Sequence, residues 1–280
     1  MRVQVGDVKL WFDVDGSGLV ADGAEMRERP TVLLLHGGPG FDHSLFKPAY
    51  AQLADVAQVV YLDHRANGRS DWGDRSDWKL DVWADDVRAF CDALGIEHPI
   101  VLGWSFGGMV AMAYAARHPD HPSKLILQST AAEMRIDRIA EGFRRVGGDE
   151  AAEVASAFWK GDGGADAMAA YATTCLPLYS PTPPDPASMT RVQMNAELLM
   201  DPGVAMRDMN LLPGLALVQC PTMVIAGEID PICPLEAMQD VVDALPPDLV
   251  RYERIPNAGH MANDDDPERF FALVRGFILS

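Results

Sequence analysis

"IVLGWSFGGMV", residues 100–110, decides the fold. An apolar run ends in Gly103-Trp104-Ser105-Phe106-Gly107-Gly108, and a helical pattern starts at once. A buried strand gains nothing from a lone hydroxyl, and a turn needs one glycine where this stretch has three. A strand, a Gly-x-Ser-x-Gly pentapeptide and a helix together make a nucleophile elbow. The serine sits on a strained turn, small neighbours let strand and helix approach, and the helix N-terminus favours negative charge on the oxygen.

Around this stretch the chain alternates short apolar runs with helical patterns. "TVLLLHG" (31–37), "QVVYLDH" (58–64), "PIVLGWS" (99–105), "KLILQST" (124–130) and "PTMVIAG" (221–227) read as strands covered on both faces. "LDVWADDVRAFCDALG" (80–95) and "GGMVAMAYAARHP" (107–119) read as helices, closed by Gly95 and by Pro119. The N-terminal "MRVQVGDVKLWFDV" alternates like a strand. This predicts an α/β protein with a mostly parallel central sheet flanked by helices. The pattern lapses between about 131 and 212, with helical segments at 135–146, 150–160 and 188–200, a glycine cluster and the loop "PLYSPTPPDP" (177–186). We read a core of residues 1–130 and 213–280, and a helical cap over 131–212 placed where ligands enter such sheets.

Composition narrows the function. With a net charge of -18 over 280 residues, the chain would be repelled by nucleic acid and anionic membranes, so neither is expected as a partner; the expected partner is a small-molecule substrate. No apolar run is long enough to span a membrane, and the N-terminus lacks the pattern of a signal peptide. Cys91, Cys175, Cys220 and Cys233 form no CxxC pair, which indicates neither a metal site nor a disulfide framework and suits a cytoplasmic location. No metal or organic cofactor is implied, and the oligomeric state is not encoded legibly.

A serine hydroxyl needs a base and an orienting acid, in the chain order Ser, acid, His. Of seven histidines only His260, in the loop "NAGH" (257–260), comes late enough. The acid should follow "PTMVIAG", where Glu228 and Asp230 both qualify; Asp230 lies two residues further into the loop and is preferred. The amides of Gly38, in "HGGPG" (36–40), and of Phe106 are the candidate oxyanion donors. In the cap, Phe158, Trp159, Tyr171, Met189, Met194 and Leu198 are candidate pocket residues.

Taken together these motifs resemble the α/β-hydrolase-fold serine hydrolases, and in particular their proline iminopeptidase branch. "HGGPG" is similar to that branch's oxyanion loop, "DHRANGRS" (63–70) to its D-x-R-x-x-G-x-S segment, and "DPICP" (230–234) to its catalytic Asp followed by Cys-Pro. The resemblance covers roughly 30–130 and 213–278, not the cap. It implies Ser105, Asp230 and His260 as catalytic residues, and cap glutamates that hold a substrate ammonium; Glu197 is the candidate for one. Three departures point away from that substrate. The elbow reads Gly-Trp-Ser-Phe-Gly-Gly where the branch has Gly-Gly-Ser-Trp-Gly-Ser, the cap is shorter, and "SAFWKGD" (156–162) offers Lys160 where a Trp-Glu pair is expected. Hydrolysis of a small ester, lactone or amide is therefore expected. Prolyl aminopeptidase, cofactor-free perhydrolase and carbon–carbon bond hydrolase remain open, as does a non-catalytic receptor.

Overall fold

The computed structural model describes residues 1–200, 206 and 209–280, with the side chain of Met200 left aside. Its centre is an eight-stranded sheet. Six strands run parallel: β5 (Thr31–Leu35), β6 (Gln58–Leu62), β7 (Ile100–Trp104), β8 (Lys124–Gln128), β9 (Thr222–Gly227) and β10 (Val250–Ile255). β1 (Arg2–Val5) and β2 (Val8–Asp15) add an antiparallel edge, giving the order β1-β2-β6-β5-β7-β8-β9-β10. The five apolar runs expected as strands all lie in this sheet. The N-terminal alternation is two strands rather than one, because the chain reverses at Gly6-Asp7 and pairs Val5 with Val8. β3 (Leu19–Asp22) and β4 (Glu25–Glu28) form a separate hairpin.

Helices cover both faces. On one face α1 (Leu80–Leu94) and α2 (Phe106–Arg117) pack over a core that includes Leu33, Leu35, Trp83, Phe90, Val101 and Tyr114. On the other, a second core around Leu34, Tyr50, Tyr61, Leu102 and Ile225 is closed by C-terminal aromatics including Phe270 and Phe271. Arg65 and Asp86, both buried, pair through two hydrogen bonds of 2.8 and 2.9 Å.

Between β8 and β9 lies an inserted helical region. α3 (Ile136–Lys160) runs through both helical segments expected at 135–146 and 150–160 and kinks at Gly148, whose φ of 78° only glycine adopts easily. α4 (Gly164–Thr174) was hidden in the sequence by the glycines at its start. The helix expected over 188–200 is interrupted: α5 (Pro186–Arg191) ends where Val192 turns extended, and α6 (Ala196–Met200) begins after Asn195, whose side chain accepts from the Glu197 amide. α7 (Leu212–Leu215) leads back to β9, and α8 (Leu235–Ala244), α9 (Ala262–Asp265) and α10 (Pro267–Leu279) complete the fold. Among the described residues no helix is long and apolar enough to cross a membrane.

Candidate active site

Strand β7 delivers Ser105 to the N-terminus of α2 with φ 53° and ψ −118°. A non-glycine residue held at positive φ stores strain of about 1–3 kcal/mol, so its surroundings must fix it. They do. Ser105 N–H donates to Gln128 O at 2.9 Å, and Thr130 Oγ1 donates to Ser105 O at 2.8 Å. The three glycines of the opening stretch now have separate reasons. A Cβ on Gly103 would lie 2.4 Å from Gly107 O, one on Gly107 1.9 Å from Leu35 O, and one on Gly108 2.6 Å from the Thr130 side chain. Each is a close approach of α2 to the strand ends, and no alanine fits.

His260 and Asp230 arrive on two loops packed against each other. A Cβ on Gly227, the last residue of β9, would lie 2.1 Å from Gly259 O. The amides of Glu228 and Ile229 donate to Ile255 O and Ala258 O, which ties the acid loop to the histidine loop. The result is a 2.8 Å hydrogen bond between His260 Nδ1 and Asp230 Oδ2, both side chains buried. Asp230 Oδ1 accepts from the amides of Ile232 and Cys233 at 2.9 Å each. The carboxylate is therefore held in orientation on both oxygens. Glu228, the alternative acid, points elsewhere and pairs with Arg254 at 3.2 Å.

The loop at 36–40 supplies the third side. Gly38 adopts φ 67°, and a Cβ there would strike Phe41 at 2.1 Å. A Cβ on the adjacent Gly37 would come within 3.1 Å of Ser105 Cβ, so this loop passes directly beside the serine. Phe106 is the first residue of α2, a position whose N–H has no intrahelical acceptor. Behind the loop, His36 Nδ1–H donates to Gly37 O, and Nε2 faces the His64 amide at 3.5 Å. The segment "DHRANGRS" braces it: Asn67 Oδ1 accepts from Gly40 N–H, and Asp63 accepts from the His43 and Arg69 amides and from the His43 ring.

Ser105, His260, Gly38 and Phe106 line one cavity of about 370 Å³. Phe158, Trp159 and Tyr171, predicted from the sequence, line it too, as does Met189. Met194 and Glu197 do not. Met194 is exposed, and Glu197 reaches toward Arg75 at 3.9 Å, because the break after α5 turns this segment's polar face outward. Leu198 is buried in the core over α1 and α2 instead. Lys160 ends α3 exposed and outside the cavity lining. Sequence reasoning missed Phe41, Met134, Ile139, Tyr179 and Ile232, which line the cavity through tertiary approach. It also missed a clamp: His260 N–H donates to Tyr179 O at 2.7 Å, Met261 N–H to Ser180 Oγ at 2.8 Å, and Asp265 accepts from the Thr182 and Gly259 amides. The proline-rich loop of the inserted region thus holds the histidine loop.

Among the described residues, two clusters have metal-ligand side chains within 4.8 Å of one another, Asp230-Cys233-His260 and Asp42-His43-Asp63. Their chemistry is that of hydrogen-bond networks. Each central carboxylate already accepts at both oxygens, and burial pushes the Cys233 thiol well up, away from the thiolate a metal takes.

A family model described as the alpha/beta hydrolase fold matches residues 30–267. The chain belongs to this family. It is 28% identical over 258 residues to AB hydrolase superfamily protein YisY of Bacillus subtilis (strain 168), covering 88% of this chain and 90% of that one. To 3-oxoadipate enol-lactonase 1 of Acinetobacter baylyi it is 25% identical over 260 residues, 90% of each. Among solved structures, the proline iminopeptidase of Mycobacterium smegmatis superposes with a TM-score of 0.78 at 25% identity, over 100% of this chain and 97% of that one. As an α/β hydrolase, then, this chain is similar to enzymes with different named substrates.

Proposed function

We propose that this α/β hydrolase is a serine hydrolase of small uncharged esters or lactones, acting through Ser105, His260 and Asp230. The observation that carries the reading is the bond from His260 to a doubly anchored Asp230, beside a strained elbow serine in one apolar cavity. Asp230 keeps the His260 proton on Nδ1 and leaves Nε2 as the base. His260 takes the Ser105 proton as the oxygen attacks the carbonyl carbon, and the Gly38 and Phe106 amides hold the oxyanion. The imidazolium then protonates the leaving alcohol. In the second half His260 activates water, which releases the acid and restores Ser105.

Substrate class follows from the wall. Phe41, Met109, Ile139, Phe158, Met168 and Ile232 favour an apolar acyl group. Among the described residues Glu133 is the one carboxylate lining the cavity, and Arg135 and Arg138 line it too. Arg135 pairs with Asp137 and Arg138 with Asp240, so among the described lining residues a free α-ammonium would find a single carboxylate, and a poorly paired cation in an apolar cleft is costly. This weighs against prolyl aminopeptidase, the reading that the likeness to proline iminopeptidases suggests. The test is a panel of short p-nitrophenyl esters, a lactone and proline p-nitroanilide. An ester or lactone should exceed the anilide in kcat/KM by at least about tenfold. A preference for the anilide would make the chain an aminopeptidase.

A further inference from the structure

Besides Glu133, Arg135 and Arg138, the inserted region carries a chain of hydrogen-bonded aromatic side chains into the apolar cavity. Trp159 Nε1–H donates to Tyr171 Oη at 3.1 Å, and the Tyr171 and Tyr179 hydroxyls are 2.7 Å apart; all three side chains line the cavity. The three residues come from the end of α3, from α4 and from the turn that follows it, so their meeting is a tertiary construction. It is firmly held. Tyr171 is buried and stacks on Phe158 at 4.1 Å, and the Tyr179 ring stands edge-on to His260 at 5.3 Å.

Counting hydrogens exposes a surplus. An indole offers one hydrogen and no acceptor, and each phenol offers one hydrogen and accepts as well. Three hydrogens therefore enter the relay, and two are used: Trp159 to Tyr171, and one between the tyrosines. If Tyr171 donates to Tyr179, the Tyr179 hydrogen remains; if Tyr179 donates, the Tyr171 hydrogen remains. Among the described residues neither hydroxyl has a further partner. Burial pushes both phenols up, so neither loses its proton in the working range. A donor left over beside apolar walls is costly to desolvate without an acceptor, so a substrate that supplies one is favoured over one that does not.

We propose that the Trp159–Tyr171–Tyr179 relay is a specificity site that donates a hydrogen bond to an acceptor oxygen in the acyl part of the substrate. The ligand class is an acyl ester or lactone with an oxo or ether oxygen a few atoms from the scissile carbonyl, since Tyr179 packs directly on His260. The proposal rests on the serine hydrolase reading of the same cavity. Its test compares p-nitrophenyl pentanoate with 3-methoxypropanoate, which replaces one methylene by oxygen, and with 4-oxopentanoate. Either tyrosine alone keeps a free hydrogen, so the informative variant is the double Tyr171→Phe/Tyr179→Phe. Taking each ester's ratio between wild type and variant cancels its intrinsic reactivity. We expect the wild type to favour at least one oxygenated ester, and the double variant to lose at least about tenfold of that preference in kcat/KM. Equal ratios in both proteins overturn the proposal. Should the double variant not fold, a wild type whose relative rates merely follow alkaline hydrolysis of the three esters overturns it equally. Absence of turnover on all three esters would instead overturn the hydrolase reading.

Discussion

At Ser105 a single backbone conformation joins fold and chemistry. The positive φ turns the side chain away from the strand and leaves the Phe106 amide free at the helix start, so one strained residue places both the Ser105 hydroxyl and the Phe106 N–H. Ser105→Ala is expected to fold normally and lose about 10⁴-fold or more in kcat, measured with a p-nitrophenyl ester. Activity within about tenfold of wild type would remove Ser105 from the mechanism. The acid is tested by a pair. Asp230 bonds His260 while Glu228 bonds Arg254, so Asp230→Asn should lose about 10³–10⁴-fold and Glu228→Gln less than about tenfold. The reverse ranking would move the role to Glu228. The elbow, its glycines and His260 were legible because local backbone geometry restricts which residues fit there. The choice between Asp230 and Glu228 was not settled locally, since it depends on which side chain reaches a loop thirty residues away.

Among the elements, α3 links the inserted region to the acid loop. A Cβ on Gly142 would lie 2.3 Å from Pro231 O, and Pro231 adjoins Asp230. Gly142→Ala must therefore shift helix or loop, at a cost of about 1–3 kcal/mol, and is expected to lower kcat more than it raises KM. Gly276 in α10 supplies the contrast. It is exposed, with open space around its Cβ direction, so Gly276→Ala should raise stability by about 0.5–1 kcal/mol with kcat unchanged. Denaturant melts and ester kinetics on both variants check the pair. The parallel strands were legible because burial on both faces makes each a continuous apolar run. The hairpin β3–β4 was not, because its residues are mostly exposed and carry no apolar period. Nor was α4, since the glycines before it read as loop while Ala167, Ala169 and Ala170 make the helix. Met194 and Glu197 were misplaced as pocket residues because a helical pattern over 188–200 does not reveal the break at Val192.

Over the whole molecule, two electrostatic loads respond to pH in opposite directions. The net charge of -18 is self-repulsive, so adding salt should stabilise the fold; raising NaCl from about 10 mM to about 0.5 M is expected to lift Tm by roughly 3 °C, about 1 kcal/mol. Acidification discharges carboxylates and relieves the same repulsion. Against it stand two buried histidines, His36 and His64, whose rings lie 4.7 Å apart. Burial holds both below the ordinary imidazole value, His64 well below; His36 lowers His64 further, and His43 lowers His36. His64 Nε2 is buried without a hydrogen-bond partner among the described residues, so nothing there stabilises an added proton. The sign follows from proton counts. Below about pH 6.5 the unfolded chain protonates His64 while the folded chain does not, so stability falls with pH until the depressed folded value is reached. The slope approaches about 1.4 kcal/mol per pH unit for one fully neutral histidine. Asp86 and Asp264, raised by burial, act in the opposite sense as pH falls. The His64 contribution is separated from all of these by substitution. Between pH 7.5 and 5.5 the stability of His64→Leu should fall by about 1 kcal/mol less than that of wild type, read from urea melts at each pH. Parallel pH profiles for the two proteins would show that His64 binds its proton equally in both states, and that the buried imidazole pair does not set the acid limit of the fold.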